Sequence, residues 1–332
     1  MDVFLSGEFE ADYAAHPLVL VDVGARGGLK ANWRAARRHL RVLGFEPDPR
    51  EHARLSAQAA SGPDEYFAVA LHNTRGTVTL HLARDRGLSS IFRPNRPFLN
   101  AFPDAQRFDV EGTHPVEVDT LDNQLRTRGI SDVDFVKADT QGSELMVLQG
   151  ASQALAGTVL GVEVEVEFAP IYEDQPLFAD VDAFMRGLGY QLFDLKPCYW
   201  KRAAGWQIGG PYGQVIWADA LYLKGVPAVG QMLSGLPPPV RRAKLLHALS
   251  VALLYGYADY ALELVTGIDS GLLPRERAGI ERKLRASETG RRLTTRLPGR
   301  RQLASTFRRL WRACRVPNEG WAVSDPEIGN RD

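Results

Sequence analysis

The chain has 332 residues, a length that fits one large domain or two. Hydrophobic residues make up 45% of it and charged residues 24%, the balance of an ordinary globular protein. Its 40 basic and 40 acidic residues cancel, which excludes a global electrostatic attraction to nucleic acid. The two cysteines, Cys198 and Cys314, are too few and too far apart to predict a disulfide framework or a zinc cluster.

Two observations bear on where the protein works. The acidic stretch at residues 1–8 lacks the basic and apolar regions of a signal peptide. The longest apolar stretch, residues 248–258, is too short to cross a bilayer. We therefore expect a cytoplasmic protein.

The first strong pattern is a strand followed by a glycine turn. The aliphatic run at residues 19–23 is typical of a buried parallel strand. The glycines that follow it, Gly24, Gly27 and Gly28, allow a sharp turn and the close approach of a ligand. A helix is predicted next, over residues 29–40. This sequence of elements is typical of the ligand-binding corner of a nucleotide-binding α/β sheet.

The second predicted strand, residues 42–46, indicates which kind of ligand binds there. It ends in Glu46, whose carboxylate can accept hydrogen bonds from both hydroxyls of a ribose. Dinucleotide-binding folds use G-x-G-x-x-G, and residues 24–28 do not match that spacing. An acid before the turn, Asp22, suits the cationic amino and sulfonium groups of S-adenosylmethionine. A purely structural glycine turn is the alternative.

The later strands complete the predicted fold. Further core strands are predicted at residues 66–71, 133–139 and 159–167, and an exposed pair at residues 77–82 and 115–119. The irregular stretch between that pair, residues 85–113, is long enough to be a functional loop or lid.

The end of the sheet distinguishes between variants of the fold. Residues 190–195 and 215–223 are predicted strands separated only by a Gly/Pro loop at 209–211, so they form an antiparallel hairpin. Five βα units closed by such a hairpin are the class I methyltransferase (Rossmann-like) variant of the doubly wound α/β sheet.

Carboxylates stand at the ends of two predicted core strands. Asp139 follows a strand predicted to be buried on both faces, at the edge where open α/β sheets bind ligands. An N-cap for the following helix is the alternative role. Strand alternation puts the glutamates of residues 163–167 on one face, so we expect at least Glu163 to point into the crevice near Asp139. Asp139, Glu163 and Glu165 are the candidates for a base that deprotonates an acceptor hydroxyl.

Other residues near the predicted crevice are weaker candidates. His72, His81 and His114 lie in or near its loops, but each is more typical of a surface or hydrogen-bonded histidine. Carboxylates at neighbouring strand ends also suit Mg²⁺. Because the sequence does not separate that role from metal-free chemistry, no metal is predicted.

A series of motifs, in order along the chain, carries a family resemblance. They are VDVGARGG at 21–28, FEP at 45–47, AVAL at 68–71, TLD at 120–122, FVKADTQGSE at 135–144 and VLQGA at 147–151. Over residues 18–223 the chain resembles the FkbM family of methyltransferases.

The resemblance implies an S-adenosylmethionine-dependent O-methyltransferase that acts on a hydroxyl of a sugar, a glycan precursor or a secondary metabolite. It matches Glu46 to the ribose-binding acid, Gly24 to the cofactor turn and Asp139 to the acid after the fourth strand. Two positions depart from the family, which often has an acid where Gln141 stands and a small or polar residue where Arg26 stands. The predicted cofactor-binding residues are Asp22, Gly24, Ala25, Arg26, Gly27, Glu46, Ala70, Leu71 and Asp139.

The C-terminal third differs in composition. A proline-rich linker at residues 236–239 precedes a predicted helix at 240–265. Residues 274–315 hold thirteen arginines and one lysine against three glutamates, an excess of eleven positive charges. A basic helix that carries Leu303, Phe307, Leu310 and Trp311 suits an anionic inner-membrane surface, a protein partner or RNA, and a solvated appendage is the alternative. The neutral whole chain argues against nucleic acid.

The predicted organisation is therefore a methyltransferase domain at residues 1–225, a basic helical extension at 226–316 and a disordered tail at 317–332. One alternative is a non-catalytic module that keeps the fold and acts through its tail. Another is an NAD-dependent enzyme, which the glycine spacing and the terminal hairpin disfavour.

Overall fold

The structure is a computed structural model. It describes residues 7–60, 62–208, 212–269, 271–295, 302–303, 305–307, 309–310, 320–325 and 327–329, with side chains of 287–295 excepted. The predicted loop at 209–211, Trp311 and the first six residues lie outside the described residues.

Eleven strands are present in the described residues. They are β1 (Leu18–Val23), β2 (Leu40–Phe45), β3 (Glu65–Phe67), β4 (Ala70–Leu71), β5 (Gly76–Ala83), β6 (Val110–Asp119), β7 (Phe135–Ala138), β8 (Gly161–Glu167), β9 (Tyr190–Trp200), β10 (Gln214–Lys224) and β11 (Ala322–Ser324).

The helices are mostly short before residue 225. They are α1 (Glu10–Ala15), α2 (Pro49–Ala59), α3 (Arg96–Leu99), α4 (Leu121–Thr127), α5 (Glu144–Gln149), α6 (Ser152–Gly157), α7 (Phe178–Gly187), α8 (Val226–Ser234), α9 (Pro238–Leu254), α10 (Ala258–Gly267) and α11 (Pro274–Thr295). The described residues also contain 3₁₀ helices at Gly7–Phe9, Ala31–His39, Arg86–Leu88, Ala105–Phe108 and Ala203–Gly205. Of the helices in the described residues, none combines the length and the apolar character that crossing a bilayer requires.

The main sheet has the order β11-β9-β10-β8-β7-β1-β2-β3. Strands β3, β2, β1, β7 and β8 are parallel, and β10 runs antiparallel to both β8 and β9. The predicted doubly wound sheet with a terminal antiparallel hairpin is thus confirmed. A second sheet of order β4-β6-β5 contains the predicted exposed pair.

Two local predictions are wrong in detail. The segment predicted as a helix at 29–40 is a 3₁₀ helix, in which Trp33, Ala36 and His39 are buried. Their spacing of three residues places them on one face of a 3₁₀ helix, in which residues three apart eclipse one another. The predicted third strand, 66–71, is broken after Phe67, and its two halves join different sheets.

Alternate residues of the central strands pack into separate cores on the two faces of the sheet. Leu18 and Leu20 of β1 belong to the core that contains α8, α9 and α10, whereas Val19 and Val21 belong to the core that contains α5, α6 and α7. Helix α9 buries 11 of its 17 residues. The boundary predicted at residue 225 is therefore not a boundary in packing, because α8–α10 cover one face of the sheet.

The described part of the C-terminal tail contradicts the prediction of disorder at 317–332. Strand β11 pairs with β9 at the edge of the main sheet. The ring of Trp321 packs edge-on against Trp200, with 5.5 Å between their centroids. The pairing satisfies backbone groups of β9 that an edge strand would leave to solvent.

A buried charge network fastens α9 to the strand edge. Asp134 is fully buried before β7, and its Oδ1 lies 2.6 Å from Lys244 Nζ and 2.9 Å from His247 Nδ1. Its Oδ2 accepts a hydrogen bond from the backbone N–H of Val19 at 2.7 Å. Lys244 also contacts Asp132, whose side chain is 43% exposed.

We expect Asp134→Ala to lower the free energy of unfolding by about 3–5 kcal/mol, because it leaves the buried charge of Lys244 without its buried partner. Asp132→Ala is the matched control, since it removes an exposed partner of the same lysine, and it should cost about 1 kcal/mol or less. Chemical denaturation of the two variants measures the difference. Equal losses would contradict the importance of the buried pair.

Candidate active site

A cavity of about 970 Å³ lies at the carboxyl ends of β1, β2 and β7. Gly24, Glu46 and Asp139 line it from the main sheet. The second sheet and the segment between β5 and β6 also contribute to the lining, with Leu80, Leu82, Arg86, Gly87, Ser89, Ile91, His114, Val116 and Val118. Ligand pockets span roughly 300–1,000 Å³, so this cavity has room for a methyl donor and a methyl acceptor together.

The glycine turn brings the end of β1 against the residue that follows β7. Gly24 has φ +70°, a left-handed conformation that side chains disfavour. A Cβ atom at this position would overlap the carbonyl oxygen of Asp139. Gly27 also has positive φ, at +85°, but a Cβ atom there would meet nothing within 4 Å. Only glycine therefore fits at position 24 without displacing Asp139.

Glu46 lies at the tip of β2 and is buried in the cavity wall. Its Oε1 accepts a hydrogen bond from the backbone N–H of Asp48 at 2.9 Å, which fixes the carboxylate in place. Burial raises the pKa of Glu46, and the charge of Arg26 partly opposes this shift. This carboxylate is fixed at the strand end and lies beside a turn that accepts only glycine. Such an arrangement suits the binding of an adenosine ribose.

The predicted cofactor residues divide into two groups. Gly24, Arg26, Glu46, Ala70, Leu71 and Asp139 line the cavity. Asp22, Ala25 and Gly27 are not part of its lining. The carboxylate of Asp22 is buried and lies 3.3 Å from Lys137 Nζ, and its contact with the cofactor stays a prediction.

Lys137 is a site residue that the sequence reasoning missed. Its Nζ lies 3.3 Å from Asp22 Oδ1 and 3.7 Å from Asp139 Oδ2, and it donates to the carbonyl oxygen of Gly24 at 3.3 Å. It therefore connects the glycine turn to the acid after β7. A lysine inside an otherwise apolar buried strand was the signal that could have identified it.

Asp139 is joined to the next strand through Gln141. The Nε2 of Gln141 donates to Asp139 Oδ1 at 3.1 Å and to Glu165 Oε1 at 3.0 Å. Gln141 has φ +59°, an uncommon conformation for a non-glycine residue. The position where the family often has an acid thus holds an amide that bridges two carboxylates.

Contrary to the expectation from the sequence, Glu163 does not line the cavity. Its Oε1 lies 2.5 Å from Lys30 Nζ, and its Oε2 accepts a hydrogen bond from the Tyr255 hydroxyl at 2.6 Å. Both oxygens are engaged and the residue is buried, so Glu163 is not available as a base. The strand alternation was correct, but Lys30 and Tyr255 reach β8 from distant parts of the chain.

The three candidate histidines differ in whether they line the cavity. His72 and His114 line the cavity, whereas His81 does not. Burial lowers the pKa of His72, which favours its neutral form. Asp139 remains the base candidate that lies both in the cavity wall and at a core strand end.

Comparison with known proteins identifies the family. Residues 22–192, slightly more than half of the 332-residue chain, match the family described as the Methyltransferase FkbM domain. The chain belongs to the FkbM methyltransferase family. It is an S-adenosylmethionine-dependent methyltransferase with the class I fold, as the resemblance implied. The alternative of an NAD-dependent enzyme, which the sequence already disfavoured, is discarded.

Individual relatives of this FkbM methyltransferase are distant. The 2-O-methyltransferase NoeI of Sinorhizobium fredii (strain NBRC 101917 / NGR234) is 30% identical over 175 residues, which cover 49% of this chain and 70% of NoeI. A solved methyltransferase FkbM from Methylobacillus flagellatus KT is 16% identical, with a TM-score of 0.37, over 62% of this chain and 43% of that one. A TehB-like SAM-dependent methyltransferase from Corynebacterium glutamicum is 11% identical, with a TM-score of 0.28, over 64% of this chain and 84% of that one. The family assignment rests on the sequence match, not on these structures.

We expect Gly24→Ala to weaken S-adenosylmethionine binding and to destabilise the protein more than Gly27→Ala does. Both variants place alanine at positive φ, which costs roughly 1–2 kcal/mol, but only Gly24→Ala also displaces Asp139. Calorimetric titration and thermal denaturation of the pair separate this displacement from the backbone strain. Equal effects of the two variants would contradict the close approach of Gly24 to Asp139.

Proposed function

We propose that this enzyme methylates a hydroxyl oxygen of a sugar or glycan precursor, with Asp139 as the general base. The observation that carries the proposal is the position of Asp139 in the cavity wall beside Gly24 and Glu46. The name of NoeI, a 2-O-methyltransferase, supports oxygen as the methylated atom.

The proposed reaction is an in-line displacement. Gly24 and Glu46 would hold S-adenosylmethionine, which would supply the methyl group, and its positively charged sulfur would keep the electrons of the broken carbon–sulfur bond. Asp139 receives the proton of the acceptor hydroxyl as the new oxygen–carbon bond forms. Gln141 and Lys137 hold the Asp139 carboxylate in one orientation, and positioning of this kind supplies much of the rate.

The rest of the cavity wall supports a sugar as acceptor. Arg86, Ser89 and His114 offer polar groups that can bind several hydroxyls. Leu80 and Ile91 offer apolar surface that can pack against the face of a sugar ring. A wall that combines both kinds of contact matches a compact molecule with many hydroxyls.

We expect Asp139→Asn to lower kcat by about 10²–10⁴-fold while S-adenosylmethionine affinity changes little, because the amide cannot accept the proton. Glu46→Ala is the matched variant, and it should weaken S-adenosylmethionine binding because it removes the ribose contact. Steady-state kinetics with a sugar acceptor and calorimetry with the donor measure the two effects. Full turnover in Asp139→Asn, or unchanged donor binding in Glu46→Ala, would refute the assignment.

We further propose that the basic C-terminal region rests on an anionic membrane surface and so places the enzyme at the inner membrane face. Leu303, Phe307 and Leu310 are all more than half exposed, and their spacing puts them on one side of a helix. The eleven excess positive charges of residues 274–315 complement anionic lipid headgroups. A protein partner bound at the same surface is the competing arrangement.

Co-sedimentation with phosphatidylserine vesicles tests this placement. We expect the full chain to bind these vesicles and not neutral phosphatidylcholine vesicles, and the double substitution Leu303→Ser with Phe307→Ser to weaken binding about tenfold through lost apolar burial. Leu273→Ser is the control, since Leu273 is also exposed but lies before α11. Vesicle binding that the double substitution leaves unchanged, or no binding at all, would overturn the membrane proposal.

A further inference from the structure

The glycine turn after β1 depends on neighbouring groups to keep its shape. Gly24, Gly27 and Gly28 have φ values of +70°, +85° and +78°. Because glycine has more conformational freedom than any other residue, such a turn loses more entropy when it is ordered. The sheet holds its first residue, since the backbone N–H of Gly24 donates to the carbonyl oxygen of Phe45 at 3.0 Å. The end of the turn needs an attachment of its own.

Lys30 provides this attachment, two residues after Gly28. Its Nζ lies 2.5 Å from Glu163 Oε1 on β8 and 3.7 Å from Asp219 Oδ1 on β10. Glu163 is buried, whereas the Lys30 side chain is partly exposed, so the lysine reaches inward to a carboxylate of the sheet. An ion pair with a buried partner is screened little by salt. The chain is thus fastened to the sheet directly after the turn.

Tyr255 fixes the carboxylate to which Lys30 is attached. This tyrosine follows α9 and is fully buried. Its hydroxyl donates to Glu163 Oε2 at 2.6 Å and accepts a hydrogen bond from Trp33 Nε1 at 3.2 Å. Trp33 belongs to the 3₁₀ helix that follows the turn. Tyr255 therefore holds the segment after the turn twice, directly at Trp33 and at Lys30 through Glu163.

These linked side chains can act on the cofactor site only through the turn. Lys30, Glu163 and Tyr255 are not among the cavity-lining residues of the described chain, whereas Gly24 and Arg26 of the turn are. A site that is ordered before its ligand arrives binds that ligand more tightly, because binding then costs less conformational entropy. Attachments that order the turn therefore raise the affinity for the cofactor.

We propose that Tyr255 is a positioning residue for S-adenosylmethionine, because it holds the glycine turn in its binding conformation through Glu163 and Lys30. The helical region after residue 225 thus takes part in cofactor binding, although it lies outside the residues that match the family, 22–192. This role depends neither on the identity of the acceptor nor on Asp139 as the base.

Calorimetric titration of full-chain variants with S-adenosylhomocysteine, the product that remains after methyl transfer, tests this role without an acceptor. We expect Tyr255→Phe to raise the Kd about three- to tenfold, because Glu163 Oε2 loses its donor and the carboxylate is no longer fixed. Tyr260→Phe is the matched control. It removes another buried hydroxyl, which donates to the carbonyl oxygen of Lys224 at the end of the sheet opposite to the cavity. It should leave the Kd unchanged even where it lowers the Tm.

A double-mutant cycle tests whether Tyr255 and Lys30 act through the same carboxylate. Lys30→Met alone should also weaken S-adenosylhomocysteine binding. The double variant should bind about as well as the weaker single variant, because the second substitution removes part of a connection that is already broken. Thermal denaturation of each variant separates changes in affinity from changes in stability.

An unchanged Kd in Tyr255→Phe would overturn the proposal, as would additive effects of the two substitutions or an equal loss of affinity in Tyr260→Phe. If Tyr255→Phe does not fold, an unchanged Kd in Lys30→Met overturns it instead. The titration involves no proton transfer. Failure of this proposal is therefore distinguishable from failure of the assignment of Asp139 as base, which the kinetics of Asp139→Asn test separately.

Discussion

The contact between the Gly24 turn and the Asp139 backbone is the constraint on which the rest of the site depends. It brings the ends of β1 and β7 so close that a Cβ atom at position 24 would overlap the Asp139 carbonyl. Lys137 reinforces the contact, since it lies against the carbonyl of Gly24 and between the carboxylates of Asp22 and Asp139. The position of the candidate base is thus fixed by the same turn that leaves room for the cofactor.

The buried carboxylates of the sheet fall into two groups, those paired with a lysine and those that are not. Asp22, Asp134 and Glu163 are each buried next to a lysine, and in all three cases this lysine comes from a distant part of the chain. These pairs compensate the cost of burying charge and fix the packing of neighbouring elements. Among the described residues, the strand-end carboxylates of Asp139 and Glu165 have no salt-bridge partner apart from Lys137, which contacts Asp139. Charge left uncompensated at a ligand-binding edge is more typical of function than of stability.

The helices after residue 225 belong to the architecture that supports the site. Helix α9 buries most of its length against β1 and its neighbours, and the Tyr255 hydroxyl that follows it binds Glu163 on β8. This bond removes Glu163 from the set of possible bases. The region after residue 225, whose composition differs from that of the methyltransferase domain, thus helps to determine which strand-end carboxylates remain available as a base.

The sequence by itself determined the family, the doubly wound sheet, its terminal hairpin and the cavity positions of Gly24, Glu46 and Asp139. These follow from local patterns: a buried strand, a turn that needs glycine, and an acid at a strand end. The tertiary structure alone decided that Asp22 and Glu163 are paired, that α8–α10 cover the sheet, and that β11 extends it. Each of these depends on partners remote in sequence, such as Tyr255 for Glu163, and periodicity along one strand contains no information about which distant side chain will neutralise its charge.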